Sequence, residues 1–147
     1  MKSTFLLLSL VLLFSACAIE PKPIQYGEDN CHYCNMTIVD RQHAAQIVTE
    51  KGRAYSFDAI ECMVNFKQDY KGPNIALFLV ADYDSPGELL PAEEASFIIS
   101  KEISSPMGAN LSAFNNEEKA AETISTHGGN LFDWKQLQKQ LQNPLNN

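Results

Sequence analysis

The stretch "FDAIECMVNFKQDY", residues 57–70, predicts a helix and indicates how the surrounding domain is built. Asp58 can cap the helix N-terminus, and Glu61, three residues later, can complete a capping box. The apolar residues recur at helical spacing and form one face, which consists of Ala59, Cys62, Met63, Phe66 and Tyr70. Cys62 and Met63 are therefore predicted to be core side chains, because a buried free cysteine behaves as a small hydrophobe.

Strands are predicted on both sides of this helix. "AAQIVTE" at residues 44–50 and "RAYSF" at residues 53–57 surround the turn signal Lys51-Gly52. Gly72-Pro73 ends the helix, and "NIALFLVAD" at residues 74–82 predicts a strand that is buried on both faces. The order of elements in this half is therefore ββαβ.

The second half of the sequence repeats this order. Strands are predicted in "ASFIIS" and "GANLSAF", a helix in "NNEEKAAETIST", and a short strand in "HGGNLF". When Phe57 is aligned with Phe114, the capping residues and the terminal glycines of the two helices also align, namely Asp58 with Asn115, Glu61 with Glu118 and Gly72 with Gly129. Coincidences at one offset indicate an internal repeat.

The predicted fold class is α+β, with two small ββαβ units in tandem and a C-terminal helix. The units are expected at about residues 31–84 and 93–147, and "YDSPGELLPAEE" is expected to link them. In "DWKQLQKQL", Asp133 is a possible cap, and the core-packing stripe consists of Trp134, Leu137 and Leu141.

The N-terminus resembles a bacterial lipoprotein signal. The apolar run "FLLLSLVLLFSA" follows Lys2, is too short to cross a bilayer and ends in small residues. Cys17 then stands where such signals place the acylated cysteine, although Phe14 replaces the usual leucine. We expect a signal peptide at residues 1–16 and a flexible, lipidated tether at residues 17–30 that anchors the domain to a membrane. An ordinary cleaved signal, or a short anchor with an incidental cysteine, is the alternative.

Charge and cysteine count restrict the function further. The formal net charge is −7, so the chain lacks the basic surface that nucleic-acid binding requires, although it can attract cations or basic partners. If Cys17 is acylated, the remaining cysteines are Cys31, Cys34 and Cys62. Three cysteines cannot all pair within one chain, so at least one is free or is bound to something other than sulfur.

The sulfur-rich stretch "NCHYCNMTIV", residues 30–39, allows several interpretations. Cys31 and Cys34 can form a disulfide clasp, or a redox pair, which normally stands at the start of a helix. Residues 37–39 instead predict a strand, which disfavours the redox pair. A structural zinc site needs four ligands, and the other candidates match no familiar zinc spacing: Cys62, His32, His43 and His127. His32 and His43 are expected to be solvated, although His32 is close enough to the two cysteines to contribute a ligand, and His127 is expected to end the second helix.

Methionines point to a softer metal. On an extended segment Cys34 and Met36 project to the same side, and Cu(I) accepts a thiolate together with a thioether. Met107, in the turn "SSPMGAN" of the second unit, would complete such a site across the two units. Ordinary packing remains the alternative for both methionines.

In their order along the chain, the lipoprotein cysteine, "CHYCNM", "FDAIECM" and "PMG" resemble the NosL family, the membrane-anchored accessory proteins of nitrous oxide reductase. The resemblance implies a periplasm-facing Cu(I) chaperone that supplies the catalytic copper centre of the reductase, directly or through its maturation machinery. It also implies two ββαβ units akin to the organomercurial lyase core. It places Cys34, Met36 and Met107 as copper ligands, with Cys31 as a ligand, as a disulfide partner of Cys34, or as neither. The family commonly has glycine where this chain has Asn35.

The resulting hypothesis is a lipid-anchored copper chaperone of the cell envelope, without enzyme activity. Two alternatives stay open. One is an envelope thiol–disulfide oxidoreductase that uses Cys31 and Cys34. The other is a structural lipoprotein in which this pair is a clasp.

Overall fold

The computed structural model describes residues 18–142. The predicted signal peptide, Cys17 and residues 143–147 lie outside the described residues. Within the described part, no helix has the length and apolar character needed to cross a membrane.

The first unit is a four-stranded antiparallel sheet with one helix. Its elements are β1 (Ala45–Thr49), β2 (Ala54–Phe57), α1 (Ile60–Asp69), β3 (Ile75–Ala81) and β4 (Leu89–Pro91). The strand order is β2-β1-β3-β4, so the fully buried β1 lies inside the sheet and β2 lies at its edge. The prediction of a strand buried on both faces is correct only for the second half of β3, because its first residues are partly exposed. The predicted linker also differs, since it contributes the edge strand β4.

The second unit repeats the first in shorter form. It contains β5 (Ser96–Ile99), β6 (Leu111–Phe114), α2 (Glu117–His127) and β7 (Asn130–Phe132), and the C-terminal helix α3 (Trp134–Gln142) follows. The sheet order β6-β5-β7 corresponds to β2-β1-β3 of the first unit. The predicted α+β fold of two tandem ββαβ units with a C-terminal helix is thus confirmed.

The C-terminal helix joins the two units into one core. The Trp134 ring lies 5.7 Å from the Phe78 ring of β3 and 5.7 Å from the Phe97 ring of β5. Asp133 accepts a hydrogen bond from the Gln136 backbone N–H at 2.7 Å, so the predicted cap is present. Trp134 and Leu137 are buried in the same apolar cluster as side chains of both sheets, which confirms the predicted packing stripe.

A buried polar contact also connects the units. The His43 ring is hydrogen-bonded to Asp40 Oδ2 at 2.9 Å and to Ser112 Oγ of β6 at 3.1 Å. The prediction of a solvated His43 is wrong, because only 3% of the residue is exposed. Ser112 is completely buried, so this serine–histidine–aspartate arrangement is closed to a substrate and serves as a structural link.

Residues that the sequence assigns to the tether contact the domain from Lys22 onward. The backbone N–H of Lys22 donates to Gln46 Oε1 at 2.8 Å, and Gln46 Nε2 donates back to the Lys22 carbonyl at 2.9 Å. Further along, Ile38 N–H donates to the Asp29 carbonyl at 2.8 Å. Most of the expected flexible tether is therefore held against the domain. Residues 37–39 form no strand, because the only pairing there is the single bridge between Asn30 and Thr37.

Candidate metal centre

The site is built on a tight turn between Cys31 and Met36. The Cys31 N–H donates to the Met36 carbonyl at 2.8 Å, and the Asn35 N–H donates to the Cys31 carbonyl at 3.0 Å. Asn35 has φ of 63°, in the left-handed region that asparagine tolerates better than most non-glycine residues. The expectation of an extended segment from Cys34 to Met36 is therefore wrong. Asn35 takes a conformation that glycine would adopt easily, so its presence preserves the turn.

The edge strand β2 holds this turn over the start of α1. His32 N–H donates to the Ser56 carbonyl at 3.0 Å, and His32 Nδ1 accepts from Ser56 N–H at 3.3 Å. His32 is exposed, as predicted, but its ring nitrogen is engaged with the strand. Ser56 is two residues before Asp58, so the same strand that fixes the turn leads directly into the helix that completes the site.

Four side chains converge between the turn and the helix. One ligand atom from each of Cys31, Cys34, Asp58 and Cys62 lies within 4.8 Å of the others. Cys31, Asp58 and Cys62 are buried, whereas Cys34 is partly exposed and opens the cluster to the surface. All three cysteines are free thiols, so Cys31 and Cys34 do not form the disulfide clasp in this structure.

Cys62 is the residue that sequence analysis missed. Its position on the apolar face of α1 predicts a core side chain, and it is indeed 1% exposed. However, it lies in the first turn of α1, which directly follows the segment that carries Asp58. Together with the odd number of available cysteines, that position was the signal for a third thiol at the site.

Asp58 serves the thiol cluster instead of capping the helix. The N-cap residue of α1 is Ala59, and no side chain caps this end. The Cys34 thiol donates to Asp58 Oδ1 at 3.4 Å, whereas Asp58 Oδ2 is buried and has no hydrogen-bond partner within residues 18–142. The predicted capping box is therefore wrong, and a buried carboxylate faces the sulfur atoms instead.

Glu61 connects the same helix end to the Met107 turn. Its Oε1 accepts from Ser105 Oγ at 2.8 Å and from Ala109 N–H at 3.2 Å. Met107 lies between these two residues and is 42% exposed. The second unit thus presents Met107 on a turn that is fastened to the first turn of α1. Met36 is also at the surface, 51% exposed.

The thiols differ in charge. The Cys62 S–H group donates to the Cys31 sulfur, which lowers the pKa of Cys31 to about 6. The same hydrogen bond, together with burial, raises the pKa of Cys62. Burial also raises the pKa of Cys34. At neutral pH the cluster therefore holds one thiolate, Cys31, between two thiols. A thiolate is the form of cysteine that binds metals and acts as a nucleophile.

The donor set is suited to a soft cation. It combines three sulfur atoms with one carboxylate, and two exposed thioethers lie on segments that are anchored to the same helix or turn. The histidines are not part of this cluster of residues 18–142. His127 ends α2, as predicted, and its ring lies 3.5 Å from the Glu102 carboxylate.

Comparison with known proteins agrees with this structure. The curated copper-binding lipoprotein NosL of Stutzerimonas stutzeri is 22% identical over 129 residues, which span 82% of this chain and 68% of that protein. The crystal structure of the copper chaperone NosL from Shewanella denitrificans matches with a TM-score of 0.69 and 18% identity. That match covers 80% of this chain and 95% of the other, and it shows a shared fold.

The family model for NosL matches residues 23–142. This range begins directly after Lys22 and ends with α3, so it includes both ββαβ units and the whole thiol cluster. The resemblance noted in the sequence motifs is confirmed, and the chain belongs to the NosL family.

Proposed function

We propose that this protein is a membrane-anchored copper chaperone that binds Cu(I) through cysteine and methionine sulfur. It delivers the ion to nitrous oxide reductase, or to the maturation machinery of that enzyme, for assembly of the catalytic copper centre. The relatives are named a copper-binding lipoprotein and a copper chaperone, which supports a role in copper handling. In this proposal copper is cargo, and the protein is not an enzyme.

The observation that carries the proposal is the position of Cys34. Its thiol lies at the partly exposed edge of a cluster that otherwise consists of buried donors. An ion held there has soft ligands within reach and remains accessible from the surface. Cys31 supplies a neighbouring thiolate and is the second cysteine of the proposed site.

Met36 and Met107 are the proposed thioether ligands. Met36 follows Cys34 by two residues on the tight turn, and Met107 lies on the turn that Glu61 fastens to α1. Both side chains are about half exposed, which is unusual for methionine outside a binding surface. A thiolate with neutral thioethers balances the single charge of Cu(I), so the site can be covered by a partner without burying excess charge.

Copper transfer would proceed by ligand exchange. Low coordination leaves Cu(I) open to attack by a sulfur or nitrogen ligand of the acceptor, so the ion moves without release to water. The acidic chain, with net charge −7, favours an acceptor with a basic docking surface. A lipid on Cys17 would keep this exchange at a membrane facing the periplasm.

A second candidate function is thiol–disulfide exchange by Cys31 and Cys34. The lowered pKa of Cys31 favours it, because reactive cysteines are commonly thiolates at neutral pH. A redox pair should cycle between thiol and disulfide in a glutathione buffer and should tolerate Met36→Leu. The chaperone should lose copper affinity on that substitution instead.

The experiment is an anaerobic competition titration of the membrane-purified protein in detergent against a Cu(I) chelator. We expect chelator-resistant binding in the wild type. Cys34→Ser should weaken it by more than about 100-fold, and Met36→Leu and Met107→Leu by about tenfold each. Met63→Leu is the control, because it makes the same chemical change in the buried core of α1. No chelator-resistant binding in the wild type, or undiminished affinity in Cys34→Ser, would disprove the proposal.

Delivery is tested separately in cells that lack the protein. Their nitrous oxide reductase should be made but should lack its catalytic copper centre, and the gene for wild-type protein should restore the centre. A Cys34→Ser gene should not. Normal assembly of the centre without the protein would rule out the proposed acceptor while leaving copper binding intact.

A further inference from the structure

One buried cysteine, Cys62, has no role in the proposed surface site, although it lies beside Cys31, which has one. Cys31 and Cys62 are each 1% exposed, and their sulfur atoms lie within 4.8 Å of each other. One sulfur comes from the tight turn and the other from α1, so the pair joins the two segments that form the site. Two hydrophobic side chains would pack equally well at such a position, and packing alone therefore does not account for a sulfur pair.

Asp58 makes the same pocket polar. It is 2% exposed, and its Oδ2 has no hydrogen-bond partner among the described residues. No lysine or arginine forms a salt bridge with it in residues 18–142. A buried carboxylate oxygen without a partner destabilises a protein by about 1–3 kcal/mol or more. A cation in the pocket would compensate for this.

We propose that Cys31 and Cys62 form an inner position for Cu(I), behind the outer position of Cys34, Met36 and Met107. The inference rests on the proposed function and deepens it, because the protein then holds its cargo in two places. Cys34 lies within 4.8 Å of both inner sulfur atoms and is shared by the two positions. Asp58 faces the ion without needing to bind it and orients Cys34 through their hydrogen bond.

Charge makes Cu(I) a suitable occupant. The two inner sulfur atoms lie within 4.8 Å of each other. Binding of Cu(I) forms Cu–S bonds, breaks the S–H bond of each cysteine that is protonated and releases that proton to solvent, with no electron transferred. The single positive charge then lies in the same pocket as the unpartnered Asp58 Oδ2. Zinc would carry a second charge and prefers four ligands, which would draw Asp58 and Cys34 into a closed site.

The two positions would give transfer a direction. An ion on the inner pair is surrounded by buried side chains and is shielded from competing ligands. Movement to Cys34 brings it to the exposed thioethers, where an acceptor can reach it. The inner position thus retains copper, and the outer position exchanges it.

The first test identifies the ligands directly in the wild-type protein. Silver(I) serves as a soft monovalent probe whose nuclear spin couples to protons on the side chains that bind it. We expect the nuclear magnetic resonance spectrum to show coupling from silver to the Cβ protons of Cys31 and Cys62. Coupling to Cys34 and the Met36 methyl group without coupling to Cys62 would overturn the inner position and leave the proposed function standing.

The second test measures Cu(I) affinity by the same chelator competition. Cys62→Ala should weaken binding by about 100-fold or more, Cys62→Ser should not restore it, and Asp58→Asn should weaken it by about tenfold. Met63→Leu, on the adjacent buried residue, should leave affinity unchanged. Wild-type affinity in Cys62→Ala would overturn the inner position alone. Failure of the wild type to bind Cu(I), or tightly held zinc that Cu(I) does not displace, would overturn the inner position as well.

Discussion

The starts of α1 and α2 occupy equivalent places in the two units but use their side chains differently. At α2, Asn116 is the N-cap residue and accepts a hydrogen bond from Lys119 N–H at 2.8 Å, so the prediction of Asn115 as the cap is wrong. At α1, the equivalent residue is Ala59, and no side chain caps the helix. The nearby carboxylates, Asp58 and Glu61, are directed to the thiol cluster and to the Met107 turn. A side-chain cap stabilises a helix by about 1 kcal/mol. The helix α1 lacks this stabilisation at the end that carries the thiol cluster.

The two helices also differ in how many of their residues are buried. Five consecutive residues, from Ile60 to Val64, are buried in α1, whereas only Ala120 is buried in α2. Every cysteine of the chain also precedes the linker between the units. The second unit reaches the start of α1 through the Met107 turn, and its own helix is a surface element.

Among the substitutions, the largest loss of stability should come from Glu61→Ala. The change leaves Ser105 Oγ and Ala109 N–H without their buried acceptor, so we expect the free energy of unfolding to fall by about 2–3 kcal/mol. The matched substitution in α2, Glu118→Ala, removes an exposed side chain and should change it by less than about 0.5 kcal/mol. Urea unfolding measures both. Equal losses at the two positions would refute the distinction between the helix starts.

Stability should also depend on pH through Cys31. Its pKa in the folded protein is about 6, below the ordinary value of 9.0, so the unfolded chain binds more protons in this interval. The free energy of unfolding should therefore rise from pH 6 to pH 9, by at most about 1.4 kcal/mol per pH unit, and the contribution is lost as pH falls through 6. Cys34 and Cys62 act in the opposite direction, because their pKa values in the folded protein are raised above 9.0, so they lower the free energy of unfolding as pH approaches and exceeds 9.

Urea unfolding at several pH values measures this slope. In Cys31→Ser the rise should be much smaller, because the group that titrates is gone. In Cys62→Ala the pKa of Cys31, followed by ultraviolet thiolate absorbance, should move up towards its ordinary value. An unchanged pKa in Cys62→Ala would show that the hydrogen bond between the two sulfur atoms is not the cause.

Removal of the α2 cap should have a smaller effect. Asn116→Ala should destabilise the protein by about 1 kcal/mol, because the Lys119 N–H loses its acceptor. Asn115→Ala is the control, since that exposed side chain accepts a hydrogen bond from the exposed Asn116 side chain and does not cap the helix, so it should change stability by less than about 0.5 kcal/mol. Thermal unfolding distinguishes the two. A larger loss of stability for Asn115→Ala than for Asn116→Ala would contradict Asn116 as the cap and favour Asn115, the residue named from the sequence.

The smallest change in stability should come from substituting the two asparagines whose backbone is in the left-handed region. Asn35 precedes Met36, and Asn110, with φ of 57°, closes the Met107 turn, so each methionine-bearing segment contains one. Glycine adopts this conformation readily, and Asn35→Gly and Asn110→Gly should each change stability by less than about 0.5 kcal/mol. Asn35→Ala should be worse than Asn35→Gly by about 1 kcal/mol. Copper affinity in the glycine variants should stay at the wild-type value, which the chelator titration checks.

The repeat was predictable because it rests on hydrophobic periodicity and on turn residues, which local sequence encodes. The order of strands and helices along the chain and the Asp133 cap follow from such patterns. The strand β4 was missed because its residues resemble a linker, and only its pairing with β3 makes it a strand. The wrong cap at Asp58 has a similar origin, since nothing local shows that a carboxylate has a tertiary partner.

The metal centre was only half predictable. Cys31 and Cys34 stand out through their spacing, whereas Cys62 sits in an apolar helix face where packing explains it equally well. Cys62 lies near Cys34 only because β2 holds the Cys31–Met36 turn over α1. That arrangement depends on the hydrogen bond between His32 and Ser56, which are 24 residues apart in the sequence. Met36 and Met107 were proposed as ligands because thioether sulfur is a soft donor that suits Cu(I), and Met36 also because it follows Cys34 by two residues. That choice of ligands remains a prediction.

The fastening of residues 22–30 to the domain limits how far the protein can extend from a membrane. With a lipid on Cys17, only residues 18–21 would span the gap before Lys22 is fixed to Gln46. Five residue steps reach at most about 18 Å, whereas a free tether up to Cys31 would reach about 50 Å. The domain would then lie close to the lipid headgroups. An acceptor would have to bind it at the membrane surface to receive the metal.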